Sequence, residues 1–151
     1  MKKYELTDDT ITVGGRILHR IKALKSFSDV EEGDLGGYVE KEDNLDHSGE
    51  AWVSGDARVY GNAWVYGDAR VSGDARVSGE NDYAAAKGFG REYRTTTFFR
   101  LQDGGIGVRC GCFCGTLEEF REKVKETHKE SKMGKEYLML ADLMEYKFKN
   151  A

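Results

Sequence analysis

Proline is absent from all 151 residues, so no turn is set by a locked φ and no segment is a polyproline spacer. Bends must be built from the 19 glycines, working with Asn and Asp. Cysteine is scarce and confined to Cys110, Cys112 and Cys114. An odd, crowded set excludes a disulfide framework and points to free thiols in a reducing, cytoplasmic setting. No apolar run approaches a membrane span, and the opening "MKKYELTDDTITV" lacks the apolar core of a signal peptide. No membrane partner is expected. Basic charge is also short, with 23 Lys and Arg against 27 Asp and Glu, a net of −4. That argues against direct, non-specific nucleic-acid binding, which needs a basic field. The imbalance is local: residues 1–50 carry 7 basic and 12 acidic side chains, and residues 81–151 carry 13 and 11.

What the chain does have is repetition. Residues 51–80 read AWVSGD, ARVYGN, AWVYGD, ARVSGD and ARVSGE, preceded by an imperfect LDHSGE over Leu45–Glu50. Ala-x-Val is a short strand with two inward side chains and one outward. Gly followed by Asp or Asn is a tight bend. Strands of three residues cannot make an ordinary sheet, but three units can close a triangular coil, with the next coil stacked about 4.8 Å away. The hexads resemble the left-handed β-helix of hexapeptide-repeat proteins. The expected fold is therefore mainly β: a short left-handed parallel β-helix over 33–80. An 18-residue coil stacks Trp52 under Arg70, as a cation–π pair, and Arg58 under Arg76. It turns Trp52, Arg58, Tyr60, Trp64, Tyr66, Arg70 and Arg76 outward as a protein interface, rich in the residue types of binding hot spots.

Around the repeats, residues 1–32 read as a hairpin cap, with Thr10–Val13 and Arg16–Lys22 flanking Gly14-Gly15. Residues 81–92 read as a linker. Residues 93–151 read as a ββαα module: "YRTTTFFRL" and "GIGVRCGCF" are strands, and Thr116 with Glu119 forms a capping box opening the first helix. The second helix, about Met133–Phe148, places Tyr137, Ala141, Met144 and Phe148 on one face.

Three chemistries present themselves. C-x-C-x-C on one strand face packs small residues against the helices, and Cys114, just before a helix start, is the reactive-thiol candidate. The strand arginines Arg94 and Arg109, with Arg91 and the helix start at Gly115 and Thr116, form an anion or nucleotide site. His19, His47 and His128 are the only candidates for the general base of an acyltransferase. No catalytic residue, metal or cofactor is assigned.

The chain also resembles a family of small phage and bacterial proteins. The residues that carry this are Gly33–Tyr38, Val39, Glu40, Glu42, Asn44 and Leu45, then the hexads, then Thr96–Phe99, Cys110–Phe113, Gly115, Thr116, Glu119, Phe120 and His128. Such proteins are named as transferases or polymer-forming proteins from their repeats. The resemblance implies a phage or mobile-element setting and action in the host cytoplasm; coil edges and outward aromatics favour a homo-oligomer, trimer or dimer, with the trimer preferred from the resemblance. The expected function is non-enzymatic binding of a host-defence protein, such as a nuclease effector of the CRISPR-Cas type. The alternatives are a sponge for a phosphorylated cyclic nucleotide signal and a hexapeptide-repeat acyltransferase.

Overall fold

A computed structural model describes residues 2–149. The N-terminal hairpin pairs β1 (Tyr4–Val13) with β2 (Arg16–Ala23). Gly14 and Gly15 both take positive φ, as a two-residue hairpin turn of this hand requires. β2 then pairs antiparallel with β3 (Leu35–Val39). Four two-residue strands follow from the hexads: β4 (Trp52–Val53), β5 (Arg58–Val59), β6 (Arg70–Val71) and β7 (Arg76–Val77). Each is bounded by a Gly bend, and Gly55, Gly61, Gly67 and Gly73 all hold φ of 63–67°. The rungs stack in parallel at the 18-residue spacing, with Trp52 on Arg70 and Arg58 on Arg76.

The stack is nevertheless not a left-handed parallel β-helix, and this corrects the sequence expectation. The chain forms a mixed five-stranded sheet, β1-β2-β3-β5-β7, and a separate two-stranded sheet, β4-β6. The reason lies in strand length. With two residues per rung the hexads form two short parallel ladders, β5-β7 and β4-β6, and among the described residues a third side is represented only by an isolated Leu45–Val65 bridge. β3 instead joins the β5 rung in parallel, and β2 and β1 continue that sheet antiparallel, so β1–β3 extend a sheet where a cap was expected.

The segment expected as a linker carries a strand. β8 (Tyr83–Phe89) pairs with β9 (Arg94–Arg100), which pairs with β10 (Ile106–Cys110), which pairs with β11 (Phe113–Thr116), all antiparallel. The ββαα module is thus a four-stranded sheet with two helices, α1 (Leu117–His128) and α2 (Lys132–Lys149).

This sheet is the middle layer of the molecule. One core holds the inward Ala and Val of every hexad, closed by Tyr4, Ile21, Leu45, Trp52, Tyr83 and Phe99. The second core holds Phe98, Val108, Phe120, Tyr137 and Met144 with the other inward helix residues. Neighbours on β9 alternate between them: Phe99 points to the repeats and Phe98 to the helices. β9 and the turn that follows it also grip the stack directly. Thr97 Oγ1 accepts the backbone N–H of Arg70 at 2.9 Å, and Gln102 N–H donates to Asp74 O at 3.0 Å.

The "GDLGGY" run has a steric reason. A Cβ on Gly36 would lie 2.6 Å from the carbonyl oxygen of Val53, and one on Gly37 would lie 2.7 Å from that of Ala57. β3 crosses the first rungs backbone against backbone, and no side chain fits between them.

Candidate functional site

The outward face expected of the repeats is mostly covered. Trp52 is only 3% exposed, because the N-terminal layer folds over it: Phe27 and Tyr4 meet its ring edge-on at centroid distances of 5.4 and 6.4 Å. Arg70 is in register above Trp52 but does not stack on it. Its guanidinium turns to Ser28 and Asp29. Arg76 donates to Gln102 Oε1 at 3.1 Å and to backbone carbonyls, and burial holds its pKa below the ordinary value. Arg58, its stacking partner, has a buried Nε with no hydrogen-bond acceptor among the described residues. Tyr60 is half-buried.

Trp64 and Tyr66 are different. They are 46% and 47% exposed and stack on each other, with centroids 4.3 Å apart and planes at 27°. The flanking alternation explains them: Ala63 and Val65 point into the core, so 64 and 66 must point out. The pair is anchored from below by Tyr83, whose hydroxyl donates to Trp64 O at 2.5 Å. Hollows open on both sides. One is lined by Trp64 with Glu42, Asp43, Asp46 and His47, and the other by Tyr66 with Asp68, Glu80 and Lys87. His47 and Lys2 hydrogen-bond the Glu42 carboxylate and hold its pKa below the ordinary value. The aromatic pair is thus bordered by five carboxylates, with Lys87 already committed to Asp68 at 3.3 Å.

A second concave feature lies where the C-terminal sheet meets the repeats. This cleft of about 490 Å³ is lined by Arg70, Lys87, Arg94 and Arg109, by carboxylates including Asp29, and by Tyr93 and Cys112. Asp29 Oδ1 accepts from Arg70 at 2.5 Å and Asp29 Oδ2 from Arg109 at 3.3 Å. Arg70 holds the Asp29 pKa below the usual carboxylate range, and Arg109 adds to the effect.

Arg94 and Arg109 line the same cleft, and the other residues expected with them at an anion site do not. Arg91 is exposed and lies outside the cleft lining. Gly115 and Thr116 also lie elsewhere, and the helix start is self-satisfied: Thr116 N–H donates to Glu119 Oε1 at 2.8 Å, and Glu119 N–H donates to Thr116 Oγ1 at 3.2 Å.

The cysteines do not share a face. The chain turns after Cys110, which pairs across the hairpin with Phe113, so Cys114 comes to lie opposite Arg109. Cys114 Sγ sits 3.2 Å from Ser72 Oγ, whereas Cys110 faces Thr96 and Tyr137. The histidines are dispersed. His47 accepts from the Lys3 backbone N–H, stacks on Tyr4 and meets Glu42 at 2.8 Å. His19 Nδ1 lies 3.0 Å from Thr7 O, and His128 packs near Tyr137. Among the described residues no cluster of His, Cys, Asp and Glu has the make-up of a metal site, and no helix is long and apolar enough to cross a membrane.

Asp29, Tyr93 and the carboxylates beside Trp64 went unseen in the sequence. Asp29 is 41 residues from Arg70 and 80 from Arg109, and no local pattern links them.

Compared with known proteins, residues 51–67 match a family model described as a YdcK beta solenoid repeat. The match covers the hexads AWVSGD and ARVYGN and most of AWVYGD, and it agrees with the reading of this stretch as stacked β-repeats. No curated protein matches the chain.

Proposed function

We propose that this chain is a non-catalytic binding protein that docks on a basic protein surface through Trp64 and Tyr66. The observation that carries the reading is the stacked, half-exposed aromatic pair between two carboxylate-lined hollows. Two large rings standing in water are costly, and exposed aromatics are the anchors of hot spots. The carboxylates around them repel acidic partners and steer Lys- and Arg-rich ones. The rigid stack beneath, with Ala63 and Val65 locked in the core, pre-organises the anchor, so little ordering entropy is lost on docking.

The nucleic-acid grooves of nucleases are basic surfaces of this kind. An acidic, aromatic patch complements such a groove. The resemblance to small phage and bacterial proteins supports the finer reading, in which the partner is a host-defence nuclease effector and docking blocks its substrate. Of the outward residues expected at an interface, Trp52 and Arg70 are engaged within the chain. A different protein is the occupant we propose.

Binding to a purified panel of DNA- and RNA-cleaving effectors tests this, with and without nucleic acid as competitor. The expected result is binding to at least one effector that nucleic acid displaces. The W64A/Y66A double variant should weaken it by about 30-fold, the scale of a lost hot spot. Binding that survives the double variant would sink the proposal, as would a panel with no binder.

A further inference from the structure

The cleft between the repeats and the C-terminal sheet has a feature that its structural role does not explain. Arg70 comes from β6 and Arg109 from β10, and the packing of β9 on the stack brings their guanidiniums together. Their side chains are 16% and 18% exposed, so both charges are largely withdrawn from water. Two such cations side by side repel unless an anion lies between them. Here the anion is Asp29, whose two carboxylate oxygens each take one guanidinium.

Asp29 is not built in like its partners. It stands at the tip of a tight turn closed by paired backbone hydrogen bonds between Phe27 and Val30, and its side chain is 61% exposed. Ser28 beside it holds φ of 50°, in the region costly for residues other than glycine. Rotating the Asp29 side chain outward would break no packing in either core. Both arginines come from strands of the sheets, whereas the carboxylate between them comes from a turn.

The rest of the cleft has room and chemistry for a larger anion. Its volume of about 490 Å³ falls within the range of small-molecule sites. Lys87 and Arg94 stand at the rim, where each holds only an exposed carboxylate, Asp68 or Glu92. Tyr93 lines the same cleft, 67% exposed and held at a φ of 53°.

We propose that this cleft binds a phosphate-bearing nucleotide, with the phosphate replacing the Asp29 carboxylate between Arg70 and Arg109 and the base stacking on Tyr93. Guanidiniums match phosphate oxygens in paired hydrogen bonds, and a dianionic phosphate offers more charge and more acceptors than the carboxylate it displaces. Carboxylates balance the cations of the cleft, so a long polyanion gains little there, whereas a small phosphate that exchanges for one carboxylate gains a full site. The inference does not depend on Trp64 and Tyr66, which lie outside the cleft lining, although Asp68 and Lys87 border both features.

Calorimetric titration of the full chain with inorganic phosphate, AMP and cyclic AMP tests it. Asp29→Asn keeps the turn and removes the resident charge, so phosphate and AMP should each bind at least about tenfold more tightly than to the unaltered protein. R70Q/R109Q should abolish both. Tyr93→Ala should weaken AMP and leave inorganic phosphate unchanged. AMP tighter than cyclic AMP identifies a phosphate monoester as the ligand group, and the reverse order a diester. Melting curves confirm that each variant is folded, and Asp29→Ser gives the same reading if Asp29→Asn is not. Phosphate affinity unchanged in both Asp29 variants would overturn the proposal, as would AMP binding that persists in R70Q/R109Q.

Discussion

Lys3 is buried to 0% exposure, and what holds its ammonium is not a carboxylate. Nζ donates to the Ala51 carbonyl at 2.6 Å and the Gly49 carbonyl at 3.4 Å, and it lies 5.1 Å from the centre of the Phe27 ring. Burial pushes its pKa down from 10.5 to about 8. The sign of the consequence follows from proton counting. Between these two values the unfolded chain binds a proton that the folded chain has lost, so stability rises with pH across that window. The full separation corresponds to about 3 kcal/mol. About 1 kcal/mol of it falls between pH 7 and pH 9. Lys3→Met fills the same space without a charge and removes this slope. Urea unfolding of both proteins at pH 7 and pH 9 reads the difference. The unaltered protein should gain about 1 kcal/mol more than the variant between the two pH values, about 0.5 M in urea midpoint. Identical pH slopes would refute the reasoning, since they would mean that Lys3 keeps its charge in the fold at no cost.

Two further outcomes follow from packing. Gly36→Ala places a methyl group 2.6 Å from the Val53 carbonyl and 2.7 Å from Ile21, so it should cost about 2 kcal/mol or more, seen as a lowered melting temperature. Thr116→Ala removes the side-chain half of the capping box and should cost about 1 kcal/mol, while Thr116→Ser should restore most of it.

The same hexad position illustrates how far the sequence could be read. Trp52 and Trp64 both occupy the second place of an AWV unit, and strand alternation turns both outward. Trp64 stays in water, whereas Trp52 is roofed by Tyr4 and Phe27 from the N-terminal layer. The inward Ala and Val were legible because every rung must fill the same core. The roof was not, because it depends on contacts across 25 to 48 residues that leave no periodic trace. "TTTFF" hid its role for a related reason. A middle-layer strand is covered on both faces, so Phe98 and Phe99 show an unbroken apolar run in place of alternation. "YAAAKGF" has no alternation either, and it is a strand because β9 lies beside it. The capping box at Thr116 was legible in full, being local, but it is closed on Glu119 and is not open to an anion. The arginine cleft was half legible: Arg94 and Arg109 sit on neighbouring strands, while Arg70 and Asp29 arrive from distant parts of the chain.

Hydroxyl-radical footprinting of the complex with a captured nuclease effector tests the docking surface most directly. Four exposed side chains serve as reporters: Trp64 at 46%, Tyr66 at 47%, and Met139 and Tyr146 on α2 at 69% and 71%. Docking through the aromatic pair predicts that Trp64 and Tyr66 lose most of their reactivity in the complex, while Met139 and Tyr146 keep theirs. Protection of Met139 and Tyr146 with Trp64 and Tyr66 unchanged would contradict it.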